Sequence, residues 1–153
     1  MSQSTEVKTR RMLDRIQAVL RGELEPPPIA KLLGFELTEV SEGRAVVELK
    51  AGPQHANPMG TLHGGVLCDI ADAAMGLAYA STLAENESFT TLELKINFLK
   101  PVWNGQLVAE GRVIRSGRTI GLTDCDVRDE KGSLVAHATS TCMTLRGAAA
   151  DGR

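Results

Sequence analysis

Residues 66–84 constrain the fold more than any other part of this chain. Val66, Leu67, Ile70, Ala71, Ala74, Met75, Leu77 and Ala78 leave no wide polar face on a helix that begins after His63-Gly64-Gly65 and runs to about Ala84. A helix that is apolar nearly all round is buried on most sides. It does not qualify as a membrane span, because Asp69 and Asp72 break the run. Other elements must therefore enclose it, with a curled sheet on one side and room for a second subunit on another.

Strand patterns on both sides of the helix supply that sheet. Residues 34–50 read as a hairpin with a turn at Ser41-Glu42-Gly43; in its second strand Ala45, Val47 and Leu49 alternate with Arg44, Val46, Glu48 and Lys50. The stretch AGPQHANPMGTL that follows is irregular, since its glycines and prolines bar regular structure. Beyond Asn86 four more alternating segments, 90–99, 106–115, 119–128 and 134–145, are separated by turn residues. Successive strands joined by short turns build an antiparallel sheet, and the class is α+β. An amphipathic helix over residues 5–21, carrying Met12, Leu13, Ile16, Val19 and Leu20, comes first and is stopped by Pro26-Pro27-Pro28. The expected organisation is an N-terminal helix and proline-rich linker over 1–29, one domain over 30–146 and a frayed tail over 147–153.

Composition narrows the function. Seventeen basic against nineteen acidic residues give a net charge of −2, a field that does not favour a polyanion. Aromatics at 3% offer few ring faces for bases to stack on, so no nucleic-acid partner is expected. Cys68, Cys125 and Cys142 are odd in number, lack a CxxC spacing and sit in apolar stretches, which points to reduced, buried thiols and a cytoplasmic protein. The first residues, MSQSTEVKTRRMLDRIQ, contain no apolar core of a secretory signal. His55, His63 and His137 are scattered, with no thiol or carboxylate at ligand spacing, and no metal site is expected.

The chemistry-bearing stretch runs from Asn57 through His63-Gly64-Gly65 to Asp72. Adjacent glycines at a helix entrance have two explanations: a ligand approaches the backbone there, or the helix start packs tightly. The first amides of a helix have no internal partner and favour developing negative charge. A carboxylate at position 72 in so apolar a helix is costly to desolvate unless it is paired or used. Asp69 is expected at the helix's exposed edge or a subunit contact. Gly64 and Asp72 are eight residues apart, so one helix separates them by about 12 Å. If both serve one site, Asp72 must meet the Gly64 of a second subunit across a two-fold axis, which implies a dimer with two composite sites.

Asn57, His63-Gly64-Gly65 and Asp72 on a helix between a strand pair and a four-strand run resemble the hotdog-fold thioesterases of the PaaI type. The resemblance covers residues 30–146 and includes the strand from Thr91 to Pro101 and the turn Ser116-Gly117-Arg118-Thr119. It implies a curved antiparallel sheet wrapped around the central helix, and hydrolysis of an acyl- or aryl-coenzyme A thioester with no cofactor beyond the coenzyme A of the substrate. It further implies that the Gly64 amide polarises the thioester carbonyl while Asp72 of the other subunit acts as general base or nucleophile. By the same resemblance Asn57 positions water or the thioester, and His63 hydrogen-bonds near the loop and the thiol side. Thr91, or less favourably Thr90, supplies a hydroxyl, because the position four after Asp72 is Gly76 where one related branch has threonine. The resemblance also implies that Gly117, Arg118 and Thr119 lie near the nucleotide phosphates and that two dimers form a homotetramer. A non-catalytic acyl-coenzyme A sensor and a hotdog hydratase or dehydratase are the alternatives.

Overall fold

In the computed structural model, residues 12–152 are described, so the part of the expected N-terminal helix over residues 5–11 lies outside the described residues. The chain forms α1 (Met12–Leu20), α2 (Pro28–Leu33), β1 (Phe35–Ser41), β2 (Arg44–Ala51), α3 (Gly64–Ala80), β3 (Glu87–Phe98), β4 (Gly105–Ser116), β5 (Ile120–Asp129) and β6 (Leu134–Arg146), with short 3-10 turns at Pro53–His55 and Gly147–Ala149. All six strands join one antiparallel sheet in the order β1-β2-β4-β5-β6-β3. The sheet wraps α3, which touches every strand. This is the hotdog fold.

The wrapping follows from what α3 lacks. Ile70, Ala71, Ala74, Met75, Ala78 and Tyr79 are fully buried, and the small ones let the sheet come close. At Gly111 on β4 the sheet meets the helix backbone itself, where a Cβ would stand 2.4 Å from the carbonyl of Ala74 and 2.6 Å from the Met75 nitrogen. On β5 a Cβ at Gly121 would stand 2.1 Å from the Tyr79 ring. Inward-facing Val47, Leu49, Leu107, Ala109, Cys125, Val127, Ala136 and Ala138 complete the core around the helix.

Three local expectations need correction. The helix ends at Ala80 rather than near Ala84, because the chain turns over residues 81–83, with Thr82 N donating to Tyr79 O and Leu83 N to Ala80 O. The proline run does not terminate the first helix, which already stops at Leu20. Instead Pro28 opens α2, as proline suits the first helical position, and Gly34 at φ +81° caps it by donating to Ala30 O. Within the irregular stretch, Pro53–His55 form a turn of 3-10 helix.

Because α3 intervenes between β2 and β3, β3 is carried to the far edge of the sheet beside β6. An edge strand of 12 residues, paired on one side only, is a template for another chain. It borders the open face of α3, where Asp69 and Asp72 are exposed and Cys68, Ala73, Gly76 and Leu77 half-buried.

Candidate active site

The loop into α3 is built around two side chains. His55 is buried; its Nδ1 accepts from Gly52 N at 3.2 Å and its Nε2 lies 2.8 Å from Leu33 O, so the proton sits on Nε2. Its carbonyl accepts from His63 N at 2.8 Å, which fixes where the helix begins. Asn57 organises the turn before it. Oδ1 accepts from Met59 N and Thr61 N at 2.9 and 3.2 Å, and Nδ2 donates to Thr61 Oγ1 at 2.8 Å. Both polar ends of Asn57 thus bind the loop itself.

His63 caps α3: its Nδ1 accepts from Gly65 N at 2.9 Å, leaving the exposed ring free to carry a proton on Nε2. The two glycines are explained in part by packing. A Cβ at Gly65 would stand 2.9 Å from His63 Nδ1, and one at Gly64 would stand 2.9 Å from Phe98 Cζ. Packing does not account for the Gly64 amide, however. As the first helical N–H it has no partner within the helix, and it donates to no group among the described residues.

Asp72 lies two turns further along α3. Its Oδ1 accepts from Thr91 Oγ1 at 3.2 Å. Partial burial of the carboxyl, on a residue otherwise open to solvent, pushes Asp72 above the usual carboxylate range, the Thr91 hydroxyl opposes this, and the charge of Asp69 adds to it. Thr91 reaches α3 at an irregularity in β3, where the pairing with β6 shifts register between Thr91 and Glu93. Its neighbour Thr90 takes the other side of the strand by alternation. Asp69 is exposed, as expected for the helix's outer edge.

Gly117, Arg118 and Thr119 form the exposed turn between β4 and β5. Gly117 N donates to Ile120 O at 2.9 Å, and Thr119 O accepts from Thr144 N at 2.7 Å. Since Ile120 pairs with Met143 and Met143 with Thr90, the turn lies two strand spacings, about 10 Å, from the end of β3 that holds Thr91. No hydrogen bond or ion pair among the described residues links it to Asp72 or Gly64.

A separate groove of about 670 Å³ lies between α2, β2 and the start of β4, lined by Leu33, Lys50, Gln54, His55, Asn104 and Glu130 among others, and shares none of the expected site residues. Among the described residues no cluster of histidine, cysteine and carboxylate side chains is arranged to hold a metal ion, and no helix is long and apolar enough to cross a membrane. The three thiols are unpaired, and burial raises each of them, Cys125 to about 12.

Sequence reasoning missed His55, Phe98 and the aromatic pair Tyr79–Phe89. For His55 a signal existed: Gly52-Pro53 starting a tight turn with a histidine three residues on. Phe98 and Phe89 meet α3 only through the sheet topology, for which no local signal exists.

Residues 59–136 match the thioesterase superfamily. A relative from Saccharolobus solfataricus, provisionally named an esterase, is 35% identical over 135 residues, spanning 88% of this chain and 96% of its own. Acyl-coenzyme A thioesterase 13 of Homo sapiens is 24% identical over 133 residues, 85% of this chain and 94% of that one. The E. coli PaaI protein from the phenylacetic acid degradation operon superposes with a TM-score of 0.78 at 26% identity, over 89% of this chain and 95% of that one. A glycine-led central helix bearing an unneutralised carboxylate, a sheet wrapped around it and the extent of these matches agree: the chain belongs to the thioesterase superfamily and is a thioester hydrolase.

Proposed function

We propose that the chain hydrolyses acyl- or aryl-coenzyme A thioesters at composite sites, each made from Asp72 of one subunit and the Gly64 amide of the other. The observation that carries this reading is Asp72 itself: a carboxylate of raised pKa, hydrogen-bonded by Thr91, on the one open face of an otherwise buried helix. About 12 Å of helical rise keeps it from working with the Gly64 amide of its own chain. The unpaired edge of β3 beside it is where a second copy adds its own β3, bringing two α3 helices antiparallel. Two such dimers make the homotetramer.

Chemically, Asp72 takes a proton from water as its oxygen bonds to the thioester carbon, or attacks that carbon directly to give an anhydride that water then opens. Charge moves to the carbonyl oxygen, where a fixed amide at a helix N-terminus stabilises it. On either route collapse of the tetrahedral adduct breaks the carbon–sulfur bond, and the electron pair leaves with sulfur. The thiolate then takes the water proton held by Asp72 or, on the anhydride route, the proton released when water opens the anhydride. A raised pKa keeps Asp72 basic enough for this near neutral pH. Thr91 holds the carboxylate in place. Asn57, through its three bonds to residues 59 and 61, positions the loop that presents Gly64. His63 offers Nε2 on the thiol side, and the Gly117-Arg118-Thr119 turn takes the phosphates, Arg118 being permanently charged.

The test is subunit mixing. Asp72→Asn alone should slow turnover by about 10²–10⁴-fold with the fold intact. Gly64→Pro removes the amide, and His63 already has the extended φ −63°, ψ 131° that a following proline requires. Mixed dimers of the two variants should regain one good site each. Near-normal turnover in Asp72→Asn, or no recovery in well-exchanged dimers, sinks the assignment.

A further inference from the structure

Leading away from Asp72, the space between α3 and β3 is filled by an aromatic ring one helical turn further on. Gly76 follows Asp72 by four residues and shares its helix face. Phe89 precedes Thr91 by two and shares its strand face. The hydrogen bond from Thr91 to Asp72 shows that these two faces oppose each other. At the next step the Phe89 ring fills the space Gly76 leaves, its Cζ 3.2 Å and Cε2 3.6 Å from where a Gly76 Cβ would stand.

The ring is held from behind. It meets Tyr79 edge-on, with centroids 5.6 Å apart and planes at 70°. Tyr79 is fully buried, and its hydroxyl lies 2.7 Å from Thr144 Oγ1, on the residue that pairs with Phe89 across the sheet. Tyr79 forms an apolar cluster with Leu83 and Cys142, against which Met12, Val113 and Phe89 itself pack. Removing the ring would therefore leave space bordered by apolar side chains.

Resting on the site proposed above, we propose that Phe89 is the acyl-length stop of this enzyme: it confines the substrate to short or compact acyl groups. The acyl group runs toward Gly76 and not the other way, because in that direction the face carries Ala73, Gly76 and Leu77, whereas toward Gly64 it carries Asp69. An apolar acyl group would leave that second charge desolvated and unpaired. A Cβ at Gly76 would crowd the ring, which would have to give by a few tenths of an ångström.

The experiment compares kcat/KM for butyryl-, phenylacetyl-, octanoyl- and dodecanoyl-coenzyme A in wild type, Phe89→Ala, Phe89→Leu and Asp72→Asn, with circular dichroism to verify folding. Wild type should fall off steeply between the compact and the long acyl groups. Phe89→Ala should raise the ratio of dodecanoyl to butyryl turnover by at least about tenfold, the scale at which a few methylenes discriminate in an apolar pocket. Phe89→Leu keeps apolar bulk for the fold but shortens the plug, and should shift the ratio the same way by less. An unchanged ratio in a folded Phe89 variant, or wild type that already accepts dodecanoyl as readily as butyryl, overturns the stop. Hydrolysis that survives in Asp72→Asn overturns instead the site on which it rests.

Discussion

Gly111→Ala should damage catalysis from the far side of the helix. The added Cβ would stand 2.4 Å from the Ala74 carbonyl carbon and oxygen and 2.6 Å from Met75 N, all of them backbone atoms that no side-chain rotation can clear. Carbon contacts settle near 3.5–4.0 Å, so α3 must retreat from β4 by about 1 Å. Overpacking of this kind costs about 1–3 kcal/mol. At about 2–4 °C per kcal/mol for a chain of this length, Tm should fall by about 2–12 °C. Ala74 is two residues from Asp72, so the retreat also shifts the carboxylate against Thr91, and a displacement of about 1 Å in a catalytic group can cost 10²-fold in rate. Scanning calorimetry and a thiol-release assay run well below the new Tm separate the two effects. A Tm within about 1 °C of wild type, or a lowered Tm with kcat/KM unchanged, would refute the claim that the β4–α3 contact sets the position of Asp72.

The pH dependence gives a second check. Asp72 is raised by burial and by the charge of Asp69 and lowered by the Thr91 hydroxyl, so Asp69→Asn should move the acid limb of kcat/KM to lower pH and Thr91→Val to higher pH. Stability follows with the matching sign: a carboxyl raised in the folded state is favoured protonated, so its contribution is lost as pH rises through that raised value, and Asp69→Asn should gain Tm at neutral pH relative to wild type. Opposite or absent limb shifts in folded variants would remove Asp72 from the rate law. Cys68 tests the dimer: it lies midway between Gly64 and Asp72, so an axis that pairs those two brings both Cys68 thiols close to it. Mild oxidation should give a disulfide-linked dimer on non-reducing gels that disappears in Cys68→Ser, the buried Cys125 and Cys142 taking no part. An intact dimer whose thiols never cross-link would place the axis elsewhere on α3.

What the sequence reveals here is whatever is decided within a few residues. The apolar circumference of α3 and the period-2 strands are local, and they show in the chain. The signals for α2 were local too: the proline run that reads as a stop is, at Pro28, a favoured helix start, and Gly34 is the matching end. Strand order is not local, since nothing in β3 says that it pairs with β6 rather than β2. Gly64 and Asp72 could be singled out by type and spacing, while Asn57, His63 and Thr91 are picked out through the family resemblance. That Asn57 is spent on its own loop, and that Thr91 rather than Thr90 reaches Asp72, depend on contacts made in the fold. The glycines show the limit most directly. At Gly64, Gly76, Gly111 and Gly121 a missing side chain is visible in the sequence, but what fills its place is Phe98, Phe89, the α3 backbone and Tyr79, which lie 13 to 42 residues away along the chain. Sterics accounts for the absent Cβ at Gly111 and Gly121, where backbone and a buried ring stand in the way, and only crowds it at Gly64 and Gly76, where the end of an aromatic side chain can give. At Gly64 alone does an unpartnered amide remain after that account, and it is this remainder, not the glycine itself, that argues for chemistry there.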